Sequence, residues 1–170
     1  LIQSSFRVFL AKRQFKIKKL EKIEAITQKE SLNMNNVQAL LHFAKSDNAT
    51  VQTAAAKACT IKIEAITKKE SLDINDILAL LHFATSDNTT VKTAAEKACA
   101  ITIEAINQKK SLNMNDVQAL LHFATSDKAT VKTAAEKACT ETIKTITQKE
   151  SLNMNDVQAL LHFATSDNAT

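Results

Sequence analysis

Residues 63–102 read IEAITKKESLDINDILALLHFATSDNTTVKTAAEKACAIT, and residues 103–142 repeat that string with 29 of 40 positions identical. The opening Ile-Glu-Ala-Ile stands at Ile23, Ile63 and Ile103, and in altered form at Ile143, always 40 residues apart. Self-similarity at a fixed period marks a tandem repeat whose units stack on one another. A residue that recurs is inherited with its unit, so recurrence by itself says little about function.

Each unit holds two helical patterns. Ile77, Leu80, Leu81 and Ala84 fall at i, i+3, i+4 and i+7, an apolar stripe on a helix of roughly three turns. In the fourth copy Asn155 precedes Asp156, Val157 and Gln158, which predicts a cap at Asn155 with Gln158 reaching back. The Ser86-Asp87-Asn88 cluster ends the first helix and caps a second that begins near Thr90. Val91, Ala94, Ala95, Ala98, Cys99, Ile103 and Ile106 give that second helix a wide apolar face, small enough in the middle for a neighbour to come close. Leu72 with Ile74, and their copies at Leu32/Met34, Leu112/Met114 and Leu152/Met154, are placed to pin the connection between units.

The chain has no Gly and no Pro. Most tight hairpin turns and Gly-rich phosphate loops depend on those residues, so helices joined by short polar connections are what remains. No run of 18 apolar residues exists, so no membrane span is expected. Leu1 is not an initiator Met and Thr170 falls midway through a unit, so the chain reads as a piece of a longer protein. The net charge of +4 conceals an asymmetry. Residues 1–22 carry seven basic side chains against Glu21 alone, while the remainder carries fifteen basic and seventeen acidic ones. The attraction for an acidic partner is concentrated in the first 22 residues.

The stretch from Ile77-Leu78-Ala79-Leu80-Leu81 through Ser86-Asp87-Asn88-Thr89-Thr90-Val91-Lys92-Thr93-Ala94-Ala95 resembles HEAT and armadillo-type repeats: an apolar helix, a polar turn, then Val-basic-x-Ala-Ala. Lys92 stands where that pattern usually has Arg. The resemblance spans about residues 23–170 and implies an all-α fold, an α-solenoid of 40-residue helical pairs. The expected organisation is a basic amphipathic helix over 1–22, three full repeats over 23–62, 63–102 and 103–142, and a truncated fourth over 143–170.

Ile2-Gln3-Ser4-Ser5-Phe6-Arg7-Val8-Phe9-Leu10-Ala11-Lys12-Arg13-Gln14-Phe15 resembles the IQ motif, a helix gripped by calmodulin or a related EF-hand light chain. On that resemblance Ile2 is the apolar lead, Gln3 the polar contact, Arg7 and Lys12 the basic positions and Phe15 the closing anchor. Val8 stands where the fuller motif has Gly, which implies the incomplete class of motif. The residues make chemical sense on their own terms. Ile2, Phe6, Phe9 and Leu10 share one side of a helix and suit a Met-lined groove, while Arg7, Lys12, Arg13 and Lys16 suit an acidic rim. The competing reading makes this the second helix of a leading unit, with Phe6, Phe9, Phe15, Ile17 and Leu20 packed in the core.

Other recurring residues have plainer readings. Cys59, Cys99 and Cys139 lie on the small face of successive second helices, where a packing distance of roughly 8–10 Å is too long for a disulfide. Buried thiols in a reducing, intracellular setting are expected. No Cys-x-x-Cys or His-x-x-x-His spacing occurs, so no metal and no cofactor is expected. His42, His82, His122 and His162 read as rim residues. The Asn48-Ala49-Thr50, Asn88-Thr89-Thr90 and Asn168-Ala169-Thr170 triplets match a glycosylation pattern but sit where helix caps are needed.

Three functional readings stay open. The first is a non-enzymatic, cytoplasmic or cytoskeleton-associated scaffold that binds an EF-hand protein through its first helix and a further protein cargo through the repeats. The second is a purely structural interaction module. The third uses the basic helix on nucleic acid, and is disfavoured because the near-neutral body offers no continuing basic stripe.

Overall fold

The computed structural model describes residues 2–109 and 111–166, with side chains from Ser5 onward. Among the described residues there are eight α-helices and no strand: α1 Ile2–Thr27, α2 Met34–Ala44, α3 Ala49–Thr67, α4 Ile74–Ala84, α5 Thr89–Asn107, α6 Met114–Ala124, α7 Ala129–Thr147 and α8 Met154–Thr165. Short helices α2, α4, α6 and α8 lie side by side in one row, and the longer α1, α3, α5 and α7 in a second. Helices α2, α4 and α6 each pack most extensively on the long helix that follows, as α2 does on α3. One continuous apolar core runs between the two rows.

The connections explain how helices can end without glycine. The cap residues Lys45, Thr85 and Thr125 keep negative φ, near −97°, −88° and −87°, and their N–H groups donate to His42, His82 and His122 carbonyls in a tightened last turn. No described residue has positive φ. The next helix of each pair starts at once: Asn48 Oδ1 accepts from Val51 N–H at 3.2 Å, and Asn88 Oδ1 from Val91 N–H at 3.3 Å, as the sequence predicts. Asn168 lies outside the described residues. At Lys128 no side-chain cap bond forms, because an ammonium has no acceptor to offer.

The cap of α8 differs from expectation. It is Asn153, two residues ahead of the predicted Asn155, and its Oδ1 accepts from Asp156 N–H at 2.9 Å. Asp156 returns the bond by accepting from Asn153 N–H at 3.1 Å. A reciprocal box needs the carboxylate three residues after the cap, which Asp156 satisfies and Gln158 does not. Asn113 with Asp116 and Asp73 with Asp76 form the same box.

The apolar stripe of the short helices is also rotated from its predicted setting. Ile77, Leu80 and Ala84 are buried, but Phe83 is buried too and Leu81 sits at the edge. Phe83, Phe123 and Phe163 are thus core residues, and burying a Phe contributes roughly 1.5–3 kcal/mol. On the long helices Val91, Ala95, Ala98, Cys99, Ile103 and Ile106 are buried as expected. The three cysteines are buried and free. In α8 the same stripe is less covered, with Val157 and Leu161 exposed beside Leu152 and Met154.

Candidate functional site

Helix α1 divides into two parts. Its C-terminal part is held by Ile23 and Ile26, both buried, and by Leu20 packed against the core. Its N-terminal part, from Ser5 to Phe15, is exposed at every residue. The helix is unbroken across position 22, so the basic segment and Ile23-Glu24-Ala25-Ile26 belong to one rod of about 39 Å. An isolated arm of this length would be marginally helical in water. Here the packed half supplies the nucleus from which the helix propagates outward.

Phe6, Phe9 and Phe15 are 60%, 60% and 62% exposed, and Ile17 is 44% exposed. The reading in which Phe6, Phe9, Phe15 and Ile17 pack into the core is therefore overturned; of that set only Leu20 touches it. At 3.6 residues per turn the core-facing side of α1, set by Ile23 and Ile26, continues upward through Lys19, Lys16, Phe15 and Lys12, past the point where the core covers it. Phe6, Phe9 and Leu10 share one side of the arm, as expected. Phe15 lies about 180° round the helix from Phe6, so one partner could engage both only by wrapping the helix.

The positive charge is set at close quarters. Lys12 and Lys16 are four apart, as are Lys18 and Lys22, spacings at which like charges destabilise a helix by about 0.2–0.5 kcal/mol each. Three side chains find local relief, among them Lys22, whose Nζ lies 5.9 Å from the centroid of the Phe43 ring. Lys19 Nζ lies 4.5 Å from the centroid of the Phe15 ring, and Lys16 Nζ donates to Thr50 Oγ1 at 3.0 Å in the first turn of α3. Arg7, Lys12 and Arg13 extend from the exposed arm. The side chains of Ile2 and Gln3 lie outside the described residues.

Where α1 meets the end of α2 and the start of α3 there is a groove of about 620 Å³, lined by Lys12, Phe15, Lys16 and Lys19 on one side and His42, Lys45, Asp47 and Val51 on the other. The sequence reading reaches the α1 half of it but not His42 or Lys45, whose proximity depends on the helix packing. His42, His82 and His162 are exposed and His122 partly so, which agrees with rim positions. No group of three His, Cys, Asp or Glu stands together among the described residues. No helix is long and apolar enough to cross a membrane among those residues.

Comparison with protein-family models, with curated proteins and with solved structures gave no match.

A recurring polar contact also escaped the sequence reading. Lys69, Lys109 and Lys149 each reach seven residues forward to Asp76, Asp116 and Asp156, at 2.6, 2.5 and 2.6 Å, and each carboxylate is almost buried. These are the carboxylates of the capping boxes, so each one clips the inter-helix loop as well as the helix start. The signal is visible once sought: Lys and Asp seven apart in three successive units. In the first unit the acid is replaced by Asn36, whose Nδ2 is buried without a hydrogen-bond partner. There Lys62, itself buried, donates to the Lys29 carbonyl, and burial lowers its pKa.

Proposed function

We propose that this chain is a non-enzymatic scaffold that recruits calmodulin or a calmodulin-like EF-hand protein on the arm of α1, and that its paired helices form an α-solenoid of HEAT/armadillo-like units presenting a surface to other proteins. The observation that carries this reading is the arm from Ser5 to Phe15, exposed on all sides and bearing three phenylalanines about 60% exposed among Arg7, Lys12 and Arg13. A basic helix with apolar anchors on both sides suits a partner that encloses it, burying the rings in Met-rich grooves and meeting the cations with an acidic rim. Such a partner also relieves the repulsion among the lysines. The two rows of helices support the solenoid part of the reading, since each pair shares its apolar surface with the next. The buried free thiols suit a reducing, intracellular compartment.

Calorimetric titration of the chain with calmodulin, with and without calcium, tests this. Binding with a Kd of about 1 µM or tighter, weakened at least about tenfold in a Phe6→Ala, Phe15→Ala double variant, is the expected result. No heat of binding under either condition sinks it.

A further inference from the structure

We infer that the groove between α1 and the α2–α3 corner is a docking site for an acidic segment of a partner protein carrying an apolar anchor. The inference does not rest on the EF-hand reading, because Lys19, His42 and Lys45 belong to the groove and not to the exposed arm.

Comparison along the repeat gives the first argument. Forty residues beyond Phe15 and Lys19 stand Ala55 and Cys59, both fully buried. Forty further on stand Ala95 and Cys99, buried in the same way. Along α3 and α5 these places hold small residues turned to the core. In α1 the same places hold an exposed aromatic ring and a partly exposed ammonium, which line the groove instead of the core. The α1 side of the groove thus presents a ring and a cation where α3 and α5 present small buried side chains.

Charge complementarity gives the second. Four lysines line the groove against one carboxylate, Asp47. Lys45 is partly committed, to Asp87 at 2.7 Å. Lys12, Lys16 and Lys19 remain to meet acidic side chains, with Lys19 held over the Phe15 ring. The apolar surface between them, Phe15 and Val51, offers nothing to an inorganic anion but suits a Leu or Phe on the same segment as the acids. The volume of about 620 Å³ lies in the range of about 300–1,000 Å³ usual for clefts that bind ligands. Past the groove the nearly neutral body offers no continuing basic stripe to a polyanion.

Fluorescence-anisotropy titration of the full chain tests the inference. The probe is a labelled, Glu-rich amphipathic peptide of about fourteen residues with a central Phe-Leu pair, run beside its Gln-for-Glu counterpart and a DNA duplex. The expected result is binding of the Glu peptide that weakens at least tenfold in Lys19→Glu and several-fold in the milder Lys19→Gln, with helix content by circular dichroism unchanged in the latter. Phe6→Ala, on the arm alone, leaves peptide binding as it was while weakening calmodulin, so failure of either reading is told from failure of the other. Equal binding of the Gln peptide, indifference to both Lys19 variants, or preference for the DNA duplex overturns the docking site.

Discussion

The ammonium of Lys69 lies 2.6 Å from one carboxylate oxygen of Asp76 and 2.8 Å from the other. The same carboxylate accepts from the backbone N–H of Asp73, so one nearly buried side chain closes the loop, caps α4 and neutralises a lysine. A carboxylate withdrawn from water is tolerated only when it is both paired and hydrogen-bonded, and this one is both.

The first unit lacks the clip, and restoring it should stabilise the chain. In Asn36→Asp the buried, unpartnered amide is replaced by a carboxylate seven residues from Lys29, as Asp76 is from Lys69. A gain of about 1 kcal/mol is expected, or roughly 2–4 °C in Tm for a domain of this size. Asp116→Asn should cost about 1–3 kcal/mol, since it leaves an amide where Lys109 expects an acid. Thermal melts of the two variants beside the parent decide this; a loss of stability in Asn36→Asp contradicts it.

Acid should loosen the C-terminal pair first through Asp156. The hydrogen bond from Lys149, then that from the Asn153 backbone, holds its carboxyl below the usual carboxylate range. A depressed folded-state pKa makes a contribution that is complete above the unfolded value of about 3.9 and disappears as pH falls through the folded one. Melting followed from about pH 5 downward should show this loss, reduced in Lys149→Met; an unchanged pH profile in that variant argues against the pair as the cause.

The thiols should be inert while the chain is folded. Burial pushes Cys59 and Cys99 up to about 12 and Cys139 up to about 11. Near pH 8 an unfolded thiol, with a pKa of about 8.5, is partly thiolate and the folded ones are not. Reaction with Ellman's reagent is expected to be at least about a hundredfold slower in buffer than in denaturant. Because a raised thiol pKa penalises the anion, stability should also fall as pH climbs from about 8.5 toward 12. Prompt labelling of all three in buffer would show that the core between the rows is open.

Two phenylalanines should behave oppositely. Phe83→Ala empties a fully buried site and is expected to cost about 3–5 kcal/mol in urea unfolding, while Phe6→Ala, more than half exposed, should stay within about 0.5 kcal/mol. Comparable losses at both would mean that the arm folds onto the body in solution.

Helix content, pairing and the polar turns were legible because they depend on near neighbours. Val91, Ala95 and Cys99 share a face whatever surrounds them, and Asn48 and Asn88 cap the helix that follows immediately. The setting of Phe83 was not legible, since Phe83 and Leu81 are both apolar and only the neighbouring helices decide which one the core receives. Nor was the position of the α8 cap, where two Asn residues compete and the placement of Asp156 selects Asn153.

The candidate site divides along the same line. Sequence alone determined that a basic, Phe-bearing stretch with helical spacing precedes a nearly neutral body, because charge and spacing are properties of the chain itself. Tertiary structure decided which of those residues face water. Leu20, Ile23 and Ile26 reach the core and anchor one half of the rod, while Phe6 and Phe9 on the other half stay in solvent and Lys12, Lys16 and Lys19 stand opposite His42 and Lys45. Those last two lie more than twenty residues further along the chain, and only packing, which acts through space, brings them there.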